Sequence, residues 1–146
     1  MTLVPTPSQT VGPFFAIGLC RRAENELGTT LRLYGRLLDG AGEPIVDGVV
    51  EVWDASRRKW GRAGTDAQGS FAFTIDPPDP CLHVLVFARG LLKHQLTRVY
   101  APGSTDAVLE SLSGEERETL LAVEEDGALR FDIRMQGPGQ TVFFAV

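Results

Sequence analysis

Two residues able to hold a transition metal lie one apart in the chain, Cys81 and His83. In an extended strand, positions i and i+2 face the same side, so the thiol and the imidazole become neighbours, in line with Leu85 and Phe87. A mononuclear centre needs further ligands and an outer shell to orient them. The other histidine, His94, follows a turn at Gly90 and has no partner at ligand spacing. Residue chemistry therefore reads Cys81 as a small buried side chain and His83 as a hydrogen-bonded strand histidine. A metal site completed by carboxylates is the weaker alternative. The two tyrosines, Tyr34 and Tyr100, each fall inside an apolar strand pattern where a ring serves packing. Trp60 follows Arg57-Arg58-Lys59, and an indole has no lone pair to give a metal; the charges between Arg57 and Arg62 read as the coat of a solvated turn. Glu51 and Asp54 form no diagnostic pair, and no nucleophile elbow, P-loop or H-E-x-x-H occurs. By residue type alone, the chain holds no complete active site.

The elements that must position these groups are short strands. Leu31 to Leu37 alternates at period two and ends in the turn residues Asp39-Gly40-Ala41-Gly42. Gly48 to Ala55 carries Val49, Val50, Val52 and Trp53, suited to a pleated, half-buried surface. Ser70 to Ile75 puts Phe71, Phe73 and Ile75 on one face, and the nearly continuous apolar run Leu82 to Ala88 predicts a central strand. Gln95 to Tyr100 adds another. Leu129 to Met135 alternates apolar and charged residues throughout, with Thr141 to Val146 as its expected hairpin partner across Gln136-Gly137-Pro138-Gly139-Gln140. One short peripheral helix is expected over Ser113 to Ala122, since Ser113-Gly114-Glu115-Glu116 is a capping box. Residues 1–29, with Pro5, Pro7 and Pro13, show neither period and read as an extended N-terminal arm ahead of a domain over 30–146. The expected class is all-β, an antiparallel β-sandwich.

Composition narrows the partners. A chain of 146 residues is about one domain and can bury a core without staples. Its 14 basic and 19 acidic residues give a net charge of −5, so no broad basic field awaits a phosphate backbone. The N-terminus lacks a basic region followed by an apolar stretch, and no window approaches a membrane span. Two distant cysteines, Cys20 and Cys81, suit a reducing cytoplasm.

Three stretches together resemble the intradiol ring-cleavage dioxygenases. One is Thr6-Pro7-Ser8-Gln9-Thr10-Val11-Gly12-Pro13-Phe14. The second runs Leu33-Tyr34-Gly35-Arg36-Leu37 through Gly42, Pro44 and Val50-Glu51-Val52-Trp53. The third joins Val86-Phe87-Ala88-Arg89-Gly90 with Arg130 to Gly137 and Thr141-Val142-Phe143-Phe144. The likeness is to the iron-free chain of the αβ members of that family, whose homologous β chain holds Fe(III) with two tyrosines and a His-x-His pair. It implies a β-sandwich of transthyretin-like type. It also implies cleavage of a catechol-type ring by O2 between the hydroxylated carbons, which turns protocatechuate into 3-carboxy-cis,cis-muconate.

On this chain the resemblance places His-x-His at Cys81-Leu82-His83, so one ligand of four survives. The first tyrosine would fall near Arg58-Lys59-Trp60-Gly61 and the second in a loop shortened to Asp76-Pro77-Pro78-Asp79-Pro80. The implied cofactor is therefore Fe(III) on a partner subunit, with none on this chain. The implied contribution of this chain is part of the shared cavity's rim, from Thr10, Gly12, Pro13 and Arg89. Gly12-Pro13 would bring backbone close at a fixed bend, and Arg89 would place positive charge near an aromatic carboxylate. An ion pair with a carboxylate at the core's edge is an equal expectation for Arg89. A free-standing sandwich used for binding or assembly is the alternative function, because fold alone does not set function.

Overall fold

The computed structural model describes residues 4–7, 9, 12 and 14–145. Among these residues nine strands form two layers. They are β1 (Leu31–Leu38), β2 (Val49–Asp54), β3 (Lys59–Gly64), β4 (Ser70–Ile75), β5 (Cys81–Phe87), β6 (Gln95–Tyr100), β7 (Val123–Glu125), β8 (Ala128–Arg130) and β9 (Ile133–Arg134). The first sheet runs β4-β1-β8-β7, with β9 also on β1; the second runs β3-β2-β5-β6. Pairing is antiparallel except for β8 and β9, which lie parallel to β1. Leu33, Leu37, Phe71, Phe73, Ile75, Leu129 and Ile133 of the first sheet meet Val50, Val52, Leu82, Val84, Val86 and Val99 of the second in one core. That interdigitation is the two-layer solution the alternating strands demand.

β5 shows the consequence for position. Leu82, Val84 and Val86 point into the core, which leaves Cys81, His83, Leu85 and Phe87 on the outer face of the second sheet. A second, smaller cluster of Cys81, Tyr100, Leu109 and Leu120 covers one end of that face. It is roofed by α2 (Ala107–Glu110), capped by Asp106, and by the chain around α3 (Gly114–Glu118), capped by the Ser113–Glu116 box.

Four expectations need correction. A single peripheral helix was expected; besides α3 there are α2 and α1 (Phe14–Leu19), the last inside the segment read as extended. Helices of four and six residues carry too little periodicity to announce themselves. The charged stretch read as a solvated turn contains β3, an edge strand whose Gly61 and Ala63 face inward. A Cβ on Gly61 would lie 2.3 Å from Leu27 Cδ1, so the strand lacks the branched residues that mark strands because another segment needs the room. Leu129 to Met135 is broken between β8 and β9: the Asp132 carboxylate, not a backbone carbonyl, accepts from Arg36 N at 3.0 Å. The break fits over Gly35, where a Cβ would stand 1.8 Å from the Phe131 carbonyl oxygen. Finally, the described residues of the C-terminal segment, 141–145, form no hairpin strand. Thr141 N donates to Arg134 O, but Phe144 then bridges Leu96 of β6 in the opposite sheet.

Residues 24–28 close the other side of the sandwich. Glu24 bridges Arg62 of β3 and Glu26 bridges Thr74 of β4, while Leu27 enters the core at 4% exposure. The stretch thus spans the open edges of both sheets, which would otherwise offer unpaired ladders to other chains.

Candidate functional site

Four side chains from four strands line up across the outer face of the second sheet. Trp60 of β3 is the register partner of Trp53 on β2, Trp53 of His83 on β5, and His83 of Arg98 on β6. Neighbouring strands stand about 4.8 Å apart, so the row crosses the face without a gap. Trp53 and Trp60 are 36% and 41% exposed, and His83 and Arg98 are half-buried. The next row toward the roof holds Cys81 opposite Tyr100.

Arg98, Tyr100 and Asp106 form a closed polar knot at the end of the row. The Tyr100 hydroxyl donates to Asp106 Oδ1 at 3.0 Å, and Arg98 Nη1 donates to Tyr100 Oη at 3.3 Å and to Asp106 Oδ2 at 3.2 Å. Asp106 Oδ1 also accepts from the Val108 and Leu109 amides, capping α2. Burial raises the Tyr100 phenol to about 12, with its bond to Asp106 adding to the rise. Burial alone would raise Asp106 too, yet the Leu109 amide, the Tyr100 hydroxyl and the Arg98 charge hold it below the usual carboxylate range. Burial pushes the Cys81 thiol up. Burial and then the Arg98 guanidinium push His83 down, so the imidazole is neutral at pH 7.

As metal donors these groups are poorly arranged. Any cation between Cys81 and His83 would face the fixed charge of Arg98, the thiol holds its proton, and the one nearby phenol is committed to Asp106. Among the described residues no three His, Cys, Asp or Glu side chains converge as a metal site. The His83 imidazole, expected to be hydrogen-bonded, makes no hydrogen bond within the described residues, and its ring nitrogens are left to solvent.

The other predicted residues fall elsewhere. Arg89 follows the far end of β5, with about 20 Å of strand between Cys81 and Phe87. Its guanidinium pairs with Asp47 through Nε at 2.8 Å, and the side chain stays 66% exposed. Thr10 and Pro13 lie outside the described residues. Gly12 is half-buried in a turn with φ +67°, a backbone conformation that favours glycine. The chain that follows ends α1 beside this same end of the sheet: Cys20 lies against Gly64, the register partner of Val49, which in turn pairs with Phe87. Arg62, paired with Glu51 and stacked 4.7 Å over Trp60, reaches the Leu19 carbonyl at 3.5 Å and ties α1 to β3.

Sequence reasoning missed Trp53, Arg98 and Asp106 and saw Tyr100 only as a packed ring. The i, i+2 spacing of Arg98 and Tyr100 mirrors that of Cys81 and His83, and Asp106 stands as an N-cap before Ala107-Val108-Leu109; together these were the available signals. Among the described residues no helix is long and apolar enough to cross a membrane.

No family model matches the chain. It is 34% identical to the protocatechuate 3,4-dioxygenase alpha chain of Burkholderia cepacia, over 99% of this chain and 99% of that one. It is likewise 34% identical to the protocatechuate 3,4-dioxygenase alpha chain of Pseudomonas putida, over 97% and 96%. These alignments, of 195 and 194 positions, exceed the chain's own length, so segments of the relatives have no counterpart here. The fold superposes on the dioxygenase domain of a dioxygenase–carbohydrate-binding protein fusion from Streptomyces sp. SirexAA-E with a TM-score of 0.60 and 21% identity, over 92% of this chain and all of that domain. Two full-length relatives and a shared sandwich lead to one assignment: the chain belongs to the alpha-chain family of the protocatechuate 3,4-dioxygenases, among the intradiol ring-cleavage enzymes.

Proposed function

We propose that this chain is the alpha subunit of a protocatechuate 3,4-dioxygenase, assembled with a homologous iron-bearing beta subunit. The assembly opens the aromatic ring of protocatechuate with O2 to 3-carboxy-cis,cis-muconate. Both atoms of O2 enter the product, and the ring bond between the two hydroxylated carbons breaks. One observation carries the division of labour: where the resemblance puts a His-x-His pair, this chain has a protonated thiol at Cys81 and a lone imidazole at His83 beside the Arg98 guanidinium. Such donors do not fit Fe(III), a hard ion that wants anionic oxygen and imidazole ligands, so no step is assigned to iron on this chain.

The role proposed for this chain is to shape the rim of the partner's cavity. Thr10, Gly12 and Pro13 belong to the arm, and Arg89 stands at the end of the sheet where α1 docks. The ion pair with Asp47 uses Nε and one terminal nitrogen of Arg89, which leaves an exposed face of the guanidinium for a substrate carboxylate. Its charge would draw an anionic ring toward the mouth before any contact forms. The two cysteines are unpaired, in keeping with a reducing compartment.

The test is co-expression with a homologous chain that keeps two loop tyrosines and an intact His-x-His strand, followed by iron assay and O2 uptake with protocatechuate. The complex should carry iron and turn over; the chain purified without its partner should do neither. Stoichiometric iron and O2 consumption by this chain alone would overturn the proposal. Within the complex, Arg89→Ala should raise KM for protocatechuate more than for catechol, and equal effects would refute carboxylate recognition at Arg89.

A further inference from the structure

We propose that the outer face of the second sheet along Trp53, His83 and Arg98 is itself a binding site for a planar aromatic carboxylate. The row is rich in unused donors and poor in acceptors. Beyond the backbone ladder, the His83 and Trp53 side chains make no hydrogen bond within the described residues. The hydrogen bonds of Arg98 to Tyr100 and Asp106 both use Nη1; its guanidinium also lies 5.5 Å over the Phe144 ring and beside the Cys81 thiol, and no carboxylate or carbonyl takes up the Nε–Nη2 side of its fork. No side-chain N or O among the described residues is both buried and unpartnered, so these donors open to solvent. An Nε–Nη2 fork is the geometry that takes a carboxylate side-on with two charge-assisted bonds.

Competition from Asp106 is limited. It meets Arg98 through Nη1, and its other oxygen serves the Tyr100 hydroxyl and two amides of α2. Shape supplies the second half of the recognition. Trp53 and Arg98 lie two strands apart, about 10 Å across the row, with the flat, neutral His83 ring between them. One six-membered ring bearing a carboxylate spans that interval: the carboxylate on Arg98, the ring over His83 and its far edge against the Trp53 indole. Aromatic contacts of this kind favour a planar ring over a puckered one. The site lies on this chain's own sheet, so it needs neither the partner's iron nor turnover.

Both tryptophans of the chain lie in the row, so intrinsic fluorescence reports directly on its occupancy. The full chain, without its partner, is titrated with 4-hydroxybenzoate, with 4-hydroxybenzamide, which lacks the charge, and with cyclohexanecarboxylate, which lacks the flat ring. Calorimetry provides a second readout. Saturable binding of 4-hydroxybenzoate is expected, about tenfold or more weakened for each of the other two. Arg98→Gln should weaken it by a similar factor. Trp53→Leu, a change at an exposed position that leaves the polar knot alone, should lower 4-hydroxybenzoate affinity and abolish the preference over cyclohexanecarboxylate. Absence of saturation, equal affinity for the acid and its amide, or unchanged binding in Trp53→Leu would each overturn the proposal. These measurements involve no iron and no partner, so their failure leaves the proposed dioxygenase role standing, and the reverse holds too.

Discussion

Removing the Asp106 carboxylate should unravel the corner on which the outer face depends, and its cost can be built up from the structure. Asp106→Ala deletes the cap of α2, worth about 1 kcal/mol. It also leaves the proton of the fully buried Tyr100 phenol without an acceptor, a penalty of about 1–3 kcal/mol. The two losses share one side chain and need not add, so their sum of about 2–4 kcal/mol is the upper range of the expected cost. Asp106→Asn keeps a capping oxygen and an acceptor for Tyr100 but sets an amide donor against Arg98 Nη1 in place of the accepting Oδ2, so it should cost less than Asp106→Ala while losing the charge pair.

Urea unfolding at pH 7 measures both variants as a shift in midpoint at unchanged slope. Tyr100→Phe, placed on the Asp106→Ala background, should recover part of the loss because it removes the orphaned hydroxyl. The double-mutant cycle should show a coupling of about 1 kcal/mol or more. The folded value of Asp106 lies below the ordinary 3.8, so its contribution is present above pH 3.8 and is lost as pH falls through the folded value. The gap between the parent chain and Asp106→Ala should therefore be full at pH 7 and narrow, by the part that depends on the charge, as pH falls below 3.8 through the folded value. An Asp106→Ala variant as stable as the parent, or an Asp106→Asn variant as damaged as Asp106→Ala, would refute the proposed roles of the cap and the phenol.

Tyr100, raised from 10 to about 12, keeps its proton in the folded chain after the unfolded chain has lost its own. Stability should thus fall by about 2–3 kcal/mol as pH climbs from 10 toward 12, and that fall should be missing from Tyr100→Phe in the same urea series. Gly35→Ala drives a methyl into the Phe131 carbonyl and should cost more than about 3 kcal/mol or prevent folding. Gly114→Ala, in open space in the first turn of α3, should be neutral or stabilising by up to about 1 kcal/mol; thermal melts of the pair separate a steric from a general glycine effect. Ser113→Ala breaks the capping box and should cost about 1 kcal/mol, while Ser113→Thr retains most of the stability.

The strands that announce themselves are those whose own residues decide burial. β1, β2, β4 and β5 alternate or run apolar because their inner faces fill one core, and their limits match the expected ones within about two residues. β3 was hidden because Gly61 answers to Leu27, more than thirty positions earlier, and not to the strand's own pattern. The break after β8 was hidden because a side chain, Asp132, does the work of a backbone acceptor.

The candidate site divides along the same line. Cys81 and His83 were legible as same-face neighbours, since strand geometry is a local rule that holds for any two residues of one strand. Their company was not. Trp60, Trp53, His83 and Arg98 stand in one row only after three strand pairings set their registers, and Asp106 reaches Tyr100 only because α2 folds back over β6. Register and docking come from burial summed over the whole core, so no segment carries them alone. The chain's covalent order is thus enough to put a thiol and an imidazole side by side on one strand, while the guanidinium that stands next to them is a fact of tertiary packing.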